Sequence, residues 1–485
     1  MHKREIRTLL VANRGEIARR IFRTARRLGI RTVAIYDKEE KGALYIKEAD
    51  LALELSGSFL DGEEIVDLAK QAGADAIHPG YGFLSEKSSF AELVEKEGLI
   101  FVGPSPQSIA EMGDKARART LAAKAGVPVL PGFKINEEEP LMREELFARS
   151  REIGFPLLLK SSAGGGGKGM RIVYHEEHLL GQLESLREES LRLFRSANIV
   201  VERFLPNARH IEVQLLGNSK GKNFAIGDRD CSLQRFQQKI IEEAPAPKLS
   251  AATRQALHEA AVSLADSIAY QNAGTIEFLY DPSRESFYFL EMNTRLQVEH
   301  PVTELTSGLD LVEEQLKIAM GYSGRYESSC RGHAIEARIC AEHPDGSFRP
   351  TTGTVLLYEE PLGVRVDSGI GYKSVVLSKF DNLLAKVVAY GDNRMEATIK
   401  LRDALQHFYI APVQTNIPLL VDLLSSTVFE HAQMHTRYIS EQFAFRENPL
   451  PPFALAAALY YDREKKEKES YFGLLANFEL YRGLS

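Results

Sequence analysis

The segment TLLVANRGEIARRIFRTARRLGIRTVAIY, residues 8–36, determines the fold class that this sequence predicts. Its two ends, Thr8–Ala12 and Arg31–Tyr36, are short apolar runs typical of buried strands, and the apolar residues of Ile17–Leu28 recur at helical spacing. A strand, an amphipathic helix and a second strand predict a βαβ unit, because parallel neighbours need a long crossover connection. We therefore expect an α/β fold in which the first two strands are parallel.

The turn after the first strand argues against a dinucleotide site. Asn13-Arg-Gly-Glu16 contains a single glycine, whereas the phosphate-binding turn of dinucleotide-binding domains has the pattern G-x-G-x-x-G. Asp37 ends the second strand, where such a site would place its acidic residue. Because the glycine turn is missing, Asp37 alone does not indicate NAD binding.

Length and composition limit the possible architectures and partners. A chain of 485 residues is too long for one compact core and predicts about three domains. No stretch approaches the roughly 18 to 20 apolar residues of a membrane helix, and the net charge of −7 argues against nucleic-acid binding. Cys231, Cys330 and Cys340 are too few for a disulfide framework, and the first residues lack a secretion signal. These features predict a cytoplasmic protein, or one that is imported and already processed, with no membrane partner.

A β-hairpin is predicted near the middle of the chain. Gly274–Tyr280 and Phe287–Leu290 are rich in aromatic and β-branched residues, and Asp281–Arg284 between them has the composition of a turn. The second run continues into Glu291-Met-Asn-Thr-Arg-Leu-Gln-Val-Glu299. This hairpin would carry a dense group of polar side chains at its end.

The polar end of this hairpin predicts a metal site. Alternation along a strand places Glu291, Asn293 and Arg295 on one face, and pairing places Glu277 opposite Glu291. Two adjacent carboxylates repel one another, so a hard cation with oxygen ligands would stabilise them, with Asn293 as a third ligand. A magnesium ion that carries a nucleotide phosphate is the natural candidate. The alternative is a solvated hairpin edge with ordinary surface charges.

A glycine-rich loop follows a buried strand. Gly154–Lys160 is apolar and ends in a lysine, and Gly164–Gly167 are four consecutive glycines followed by Lys168. Such a loop is costly to order and typical of a mobile cover over phosphates. It is not a Walker loop, because Gly169 stands where that motif needs Ser or Thr. A flexible linker is the alternative.

Two further clusters contain candidate binding residues. Asn198–Leu205 is strand-like and leaves Glu202 among apolar neighbours, where its carboxylate could accept from an adenine amino group. His210 shares a predicted strand face with Glu212, although a histidine alone is more often structural. Arg229–Lys239 has three cations and two to three amides in eleven residues, which suits an oxyanion. A surface turn with salt bridges is the alternative for that segment.

Together these motifs resemble those of biotin carboxylase, an ATP-grasp enzyme, across roughly residues 3–445. The motifs that carry the resemblance are His78–Glu86, Gly164–Met170, Arg229–Lys239, Glu242–Pro247 and Glu291–Val302.

The resemblance implies an α/β and α+β multidomain chain in three parts. It places a Rossmann-like domain at 1–114 and an ATP-grasp domain at 115–330, with a mobile lid at about 133–204. A C-terminal α+β biotin carboxylase domain would occupy 331–445, and a tail extension 446–485.

The resemblance also implies the site residues. Those expected to bind ATP are Lys115, Lys160, Gly166, Gly167, Glu202, Arg203, Phe204, Leu205, His210, Gln234, Gln237, Glu277 and Glu291. Those expected to hold Mg²⁺ or Mn²⁺ are Glu277, Glu291 and Asn293. Those expected to seat bicarbonate or biotin are Lys239, Arg295, Gln297, Val298, Arg338 and Tyr81. The catalytic set is Lys239, Arg295, Glu299, the base for bicarbonate, and Arg338, which would stabilise the biotin enolate.

The reaction that the resemblance implies is the first half-reaction of a biotin-dependent carboxylase. ATP would phosphorylate bicarbonate to carboxyphosphate, and carrier-bound biotin would then be carboxylated at N1′. No Ala-Met-Lys-Met biotinylation site follows residue 446, so the biotin carrier and the carboxyltransferase are expected on separate chains. A homodimer is expected. An acetyl-CoA carboxylase of fatty acid biosynthesis is one context, and propionyl-CoA, enoyl-CoA, pyruvate and urea remain open as final acceptors.

The sequence departs from the family pattern at a few positions. Gln237 stands where a histidine is usual, Lys87 replaces a common asparagine, and Lys168 replaces a frequent arginine. We expect Gln237 to alter ATP affinity and to leave the chemistry intact, since an amide also hydrogen-bonds hydroxyls. The alternatives are another ATP-grasp carboxylate–amine ligase and a nucleotide-binding scaffold that has lost turnover.

Overall fold

The computed structural model describes residues 5–137, 142–162, 169–236, 238–327, 329–343 and 348–445.

Parallel strands form the N-terminal region. The strands of the first region are β1 (Thr8–Val11), β2 (Arg31–Asp37), β3 (Leu51–Leu55), β4 (Ala76–His78) and β5 (Ile100–Phe101). Its helices are α1 (Gly15–Arg27), α2 (Leu44–Glu48), α3 (Gly62–Gln71), α4 (Ser88–Lys96) and α5 (Pro106–Gly113). The sheet order is β3-β2-β1-β4-β5, and β1 pairs with β2 in parallel, which confirms the predicted βαβ unit.

Two consecutive helices meet at Asp114. α5 ends at Gly113, and α6 (Lys115–Lys124) begins after Asp114. The Asp114 backbone is extended, and its carboxylate accepts hydrogen bonds from the backbone N–H groups of Ala116 and Arg117. Aspartate satisfies otherwise unpaired N–H groups at the start of a helix, which is why α5 ends and α6 begins at this residue.

A small antiparallel sheet follows. Its strands are β6 (Gly132–Ile135), β7 (Leu157–Ser161), β8 (Met170–Val173) and β9 (Ile199–Arg203), in the order β6-β9-β7-β8. It packs against α7 (Arg143–Ile153) and α8 (Leu179–Phe194) through an apolar core of its own. The glycine loop between β7 and β8 lies outside the described residues at positions 163–168.

An eight-stranded sheet runs through the rest of the chain. The strands of its first half are β10 (Arg209–Gly217), β11 (Asn223–Arg235), β12 (Gln238–Ala244), β13 (Asn272–Asp281) and β14 (Ser286–Asn293). The helices of this half are α9 (Ala251–Ser267), α10 (His300–Ser307) and α11 (Leu311–Ala319).

The C-terminal region completes that sheet. Its strands are β15 (His333–Cys340), β16 (Gly353–Thr354), β17 (Leu357–Glu359), β18 (Arg365–Ser368), β19 (Val375–Val376), β20 (Leu383–Gly391) and β21 (Tyr409–Ala411). Its helices are α12 (Arg394–Gln406), α13 (Ile417–Leu424), α14 (Thr427–Glu430) and α15 (Tyr438–Glu441). The sheet order β14-β13-β10-β11-β12-β15-β20-β18 crosses residue 330 without a break, because β12 pairs with β15. The predicted division into domains stays a prediction.

The predicted hairpin is confirmed by the pairing of β13 with β14. The two strands are antiparallel, and Glu277 lies opposite Glu291 in the register. The strand ends at Asn293, so Arg295 is not on its face as predicted but in the bend that follows. The chain then enters α10, whose N-cap position is Glu299.

Among the described residues, no helix combines the length and the apolar character that crossing a bilayer requires. The cytoplasmic location stays a prediction, and the tail at 446–485 lies outside the described residues.

Candidate active site

A cavity of about 640 Å³ opens where the N-terminal region, the eight-stranded sheet and the C-terminal region meet. Many of the residues predicted for the site line this one cavity. They are Tyr81, His210, Lys239, Glu277, Glu291, Asn293, Arg295, Gln297, Val298, Glu299 and Arg338.

Lys239 is the central cation of the cavity. It lies at the start of β12, and its Nζ donates to Glu212 Oε2 at 2.6 Å, to Glu277 Oε1 at 2.7 Å and to Glu299 Oε1 at 2.7 Å. Burial alone would lower the pKa of Lys239, but the three carboxylates raise it well above its usual value. Lys239 therefore stays protonated in the cavity.

Glu277 is bound by donors from several elements. Its Oε1 accepts from Asn293 Nδ2 and from Gln297 Nε2, both at 2.9 Å, in addition to Lys239. His210 Nε2 lies 3.0 Å from the other oxygen. Burial alone would raise the pKa of Glu277, but Lys239 and His210 lower it well below its usual value. This carboxylate is thus ionised across the physiological range.

A divalent cation fits the pair formed by Glu277 and Glu291. The two residues are register partners, and burial together with the charge of Glu277 raises the pKa of Glu291. Lys115 approaches this pair, with its Nζ 3.7 Å from Glu291 Oε2. A hard divalent cation, which prefers oxygen ligands, would relieve the repulsion between these two carboxylates.

The amide of Asn293 is already hydrogen-bonded in this arrangement. Its Oδ1 accepts from Arg295 Nη2 at 2.9 Å, while its Nδ2 donates to Glu277. Its oxygen would have to turn from Arg295 to join a metal, so the third ligand stays a prediction. His210, Glu212 and Glu277 also bring ligand atoms within 4.8 Å of one another, but Lys239 already occupies the space between the two carboxylates.

Glu299 is held between two cations. Its Oε1 accepts from Lys239, and its Oε2 accepts from Arg338 Nη2 at 2.9 Å. Burial alone would raise the pKa of Glu299, but Lys239, Arg338 and then Arg229 lower it below its usual value. The carboxylate is therefore ionised and able to accept a proton, although the two ion pairs reduce its basicity. A substrate anion that draws Lys239 and Arg338 away would restore that basicity.

Arg338 is anchored on the side away from Glu299 by a second carboxylate. It lies on β15, and its Nε donates to Glu242 Oε1 at 2.5 Å across the neighbouring strand β12. Burial alone would lower the pKa of Arg338, but Glu242 and Glu299 raise it well above its usual value.

Arg295 reaches the cavity from the bend after β14. Its Nε donates to Glu86 Oε2 at 3.0 Å, and the backbone N–H of Thr294 donates to Glu86 Oε1 at 3.3 Å. The side chain of Arg295 retains 20% of its accessibility. Its Nη1 also donates to the Leu296 carbonyl at 3.2 Å and its Nη2 to Asn293 Oδ1, so a planar anion would use the second N–H of each nitrogen.

Tyr81 borders the cavity from the N-terminal region. Its hydroxyl donates to Glu16 Oε1, and burial followed by the charge of Glu16 raises the pKa of Tyr81 well above its usual value. Val298 is fixed through its backbone, since the fully buried Lys386 donates to its carbonyl oxygen at 2.8 Å.

Some predicted ATP-binding residues lie elsewhere. Both oxygens of Glu202 are paired within the chain, one with Arg119 at 2.6 Å and the other with Lys160 at 2.5 Å. Gln234 Nε2 lies 2.7 Å from His210 Nδ1. The described residues predicted for the nucleotide that do not line the cavity are Lys115, Lys160, Glu202, Arg203, Phe204, Leu205 and Gln234. Gly166, Gly167 and Gln237 lie outside the described residues.

The cation cluster predicted at Arg229–Lys239 divides in two. Arg229 is fully buried and donates to protein acceptors that include Gln214 and Thr303, both at 2.8 Å. Arg235 is buried too and pairs with Glu342 at 2.7 Å. Of the three cations only Lys239 lines the cavity. The alternative of a surface turn is wrong, because the arginines lie on a buried strand of the central sheet.

Four carboxylates belong to the site although no sequence motif marks them as site residues. Glu16, Glu86, Glu212 and Glu242 each contact a residue of the cavity. Glu212 alternates with His210 and so shares its strand face, and Glu86 and Glu242 lie inside the motifs His78–Glu86 and Glu242–Pro247. No local pattern shows which partner each of them meets.

Three family models match the chain consecutively. "Biotin carboxylase, N-terminal domain" matches residues 5–109, "Carbamoyl-phosphate synthase L chain, ATP binding domain" matches 114–325, and "Biotin carboxylase C-terminal domain" matches 336–441.

Known proteins resemble the chain over most of its length. It is 42% identical over 444 residues to biotin carboxylase 1 of Bacillus subtilis, a match that covers 90% of this chain and 98% of that protein. It is 45% identical to the rice methylcrotonoyl-CoA carboxylase subunit alpha, which it matches over 90% of its own length. The chain spans only 60% of that rice protein.

A solved structure shows the same fold. The biotin carboxylase domain of the Hydrogenobacter thermophilus 2-oxoglutarate carboxylase, in complex with MgADP, ADP and bicarbonate, aligns with a TM-score of 0.83 at 41% identity. The alignment covers 92% of this chain and 100% of that one.

Proposed function

Because this chain belongs to the biotin carboxylase family, we propose that it carboxylates biotin on a carrier protein, with ATP and bicarbonate as co-substrates. The observation that carries this proposal is the position of Glu299 between Lys239 and Arg338 in one cavity. A carboxylate flanked by two cations can accept a proton from a bound acidic anion. The two cations can then stabilise the negative charge that develops on that anion.

The reaction begins with bicarbonate. Arg295 and Lys239 bind the anion, and Glu299 accepts its proton. A bicarbonate oxygen then attacks the γ-phosphorus of ATP, the bond to the bridging oxygen breaks, and ADP leaves. The carboxyphosphate formed in this step breaks down to CO₂ and phosphate.

Biotin is activated in the same cavity. The released phosphate takes the N1′ proton of biotin, and Arg338 stabilises the negative charge that develops on the ureido oxygen. N1′ then attacks CO₂ to form carboxybiotin. Tyr81 borders the ureido ring in this arrangement. Exclusion of water matters throughout, because carboxyphosphate would otherwise hydrolyse.

Glu277 and Glu291 would hold the divalent cation, with Asn293 as a third ligand. When bound, Mg²⁺ or Mn²⁺ neutralises charge on the phosphates of ATP. The relative solved with MgADP and bicarbonate supports this choice of nucleotide, metal and anion.

The biotin carrier and the carboxyltransferase are proposed to be separate chains. The support is the match to biotin carboxylase 1 of Bacillus subtilis, which covers 98% of that protein and so leaves almost no room in it for a carrier or a carboxyltransferase. The final acceptor is open, since the matched relatives include a methylcrotonoyl-CoA and a 2-oxoglutarate carboxylase. A homodimer is part of the same proposal.

The test is ADP release by the purified chain with Mg²⁺, ATP and free biotin, with and without bicarbonate. Release that depends on bicarbonate and rises with biotin is expected. ATP binding without such release would overturn the proposal and favour a scaffold. Release stimulated by an amine in place of biotin would favour another ATP-grasp ligase.

Two variants test the residue roles. Glu299→Gln and Arg338→Gln should abolish biotin carboxylation and leave ATP binding largely unchanged. The two side chains bond to Lys239, to Glu242 and to one another, and none of these residues is predicted to bind ATP. Loss of ATP binding in either variant would contradict the assigned roles.

A further inference from the structure

Two glutamates face one another behind Arg338. Glu242 on β12 and Glu336 on β15 are direct register partners, and both side chains are completely buried. Side chains at such opposite positions of antiparallel strands have Cβ atoms about 4.5–5.5 Å apart, so their carboxyl groups can touch. Neither residue has a part in the chemistry proposed above.

Three of their four oxygens are unpaired. Glu242 Oε1 accepts from Arg338, but Glu242 Oε2 and both oxygens of Glu336 have no hydrogen-bond partner among the described residues. The charged groups that face the pair are Arg338, Lys239, Lys386 and Glu299. Lys386 itself donates to Val298 O and lies 3.3 Å from Glu16.

Buried oxygens without partners are costly, and two ionised carboxylates side by side are costlier still. A single proton on one of the two carboxyl groups removes the repulsion and also supplies a hydrogen-bond donor, because a protonated carboxyl group donates while a carboxylate only accepts. Burial raises the pKa of Glu242 to about 7, and burial raises the pKa of Glu336 well above its usual value despite the charge of Lys386. The proton therefore belongs on Glu336.

We propose that Glu336 is a neutral carboxylic acid that donates a hydrogen bond to Glu242 and thereby positions Arg338 over the biotin site. Glu242 then keeps its charge for Arg338 Nε, while Arg338 Nη2 remains directed at Glu299. Glu336 is a positioning residue, since it acts through two others. The catalytic part of this inference rests on the proposed function, but the protonation of Glu336 does not.

The first arm compares two replacements of nearly equal size. Glu336→Gln keeps a neutral donor toward Glu242, so kcat for biotin carboxylation should stay within about threefold of the wild type. Glu336→Leu removes the donor, and kcat should fall about tenfold with the Kd for ATP unchanged, the loss expected for one buried hydrogen bond. Equal losses in the two variants would mean that Glu336 is the ionised partner of Lys386, and would overturn the proposal.

The second arm needs no activity. Infrared difference spectra of the wild type against Glu336→Gln, recorded at pH 8, should show the carbonyl stretch of one protonated carboxyl group that only the wild type has. No such band would overturn the proposal even if Glu336→Leu failed to fold. If the wild type shows this band but does not carboxylate biotin, the proposed function is rejected and the protonation of Glu336 stands.

Discussion

Arg295 Nε donates to Glu86 Oε2 at 3.0 Å, and this contact joins two parts of the chain that are 209 positions apart. Glu86 lies before α4 in the N-terminal region, whereas Arg295 follows β14 of the central sheet. The ion pair leaves the opposite edge of the guanidinium near Asn293 and the cavity. The orientation of Arg295, which we propose to bind bicarbonate, therefore depends on a residue of the N-terminal region.

Replacement of Glu86 should weaken bicarbonate binding selectively. Glu86→Gln removes the charge that orients Arg295, and the KM for bicarbonate should rise about fivefold to tenfold, with the Kd for ATP unchanged. Steady-state kinetics with varied bicarbonate give the comparison. Glu92→Gln, at an exposed position on α4, is the matched control and should behave as the wild type. An unchanged KM in Glu86→Gln would mean that Arg295 is oriented without it.

Lys239 should be needed for both turnover and stability. Lys239→Met leaves Glu212, Glu277 and Glu299 buried around a missing charge, so kcat should fall about 100-fold to 1,000-fold. An uncompensated buried charge costs about 3–5 kcal/mol, so the thermal midpoint should fall as well. Lys222→Met, at an exposed position, is the control for loss of a lysine. A Lys239→Met enzyme with unchanged kcat and thermal midpoint would contradict the proposed role of this cation.

The proposed metal site can be tested without turnover. Glu291→Gln removes one of the two facing carboxylates, so Mn²⁺ should bind about tenfold or more weakly in the presence of ADP. Electron paramagnetic resonance of free Mn²⁺ measures that binding directly. Glu285→Gln, exposed at the turn of the same hairpin, should not change it. Unaltered Mn²⁺ affinity in Glu291→Gln would move the metal to other ligands.

The proton on Glu336 should appear in the pH dependence of stability. A carboxyl group with a raised pKa in the folded chain keeps a proton that the unfolded chain releases above its ordinary pKa of about 4.3. Raising the pH therefore favours unfolding of the wild type. Relative to Glu336→Gln, the wild-type free energy of unfolding should fall by about 1.4 kcal/mol per pH unit between about pH 5 and pH 7.

Urea unfolding of both proteins at several pH values measures this difference. Glu285→Gln, an exposed position, should give a curve parallel to the wild type. Parallel curves for the wild type and Glu336→Gln would show that Glu336 is ionised in the folded chain.

Local patterns predicted the elements that local forces form. The opening βαβ unit follows from apolar runs and helical periodicity, and the β13–β14 hairpin follows from alternation with a turn at Asp281–Arg284. The pairing of Glu277 with Glu291 could be read in advance because the register of a hairpin is set by its own turn.

The sequence alone also determined the family, through motifs whose order and spacing are specific. It could not determine which charges meet in the cavity. Arg338 meets Glu242 and Glu299 at separations of 96 and 39 residues, and Glu86 meets Arg295 at 209. Such pairs have no local signal, because their partners are chosen by how strands align and domains pack. Only the tertiary structure separated Lys239, which faces the cavity, from Arg229, which is buried among protein acceptors. The two residues lie in one short segment, but their strands direct them to different surroundings.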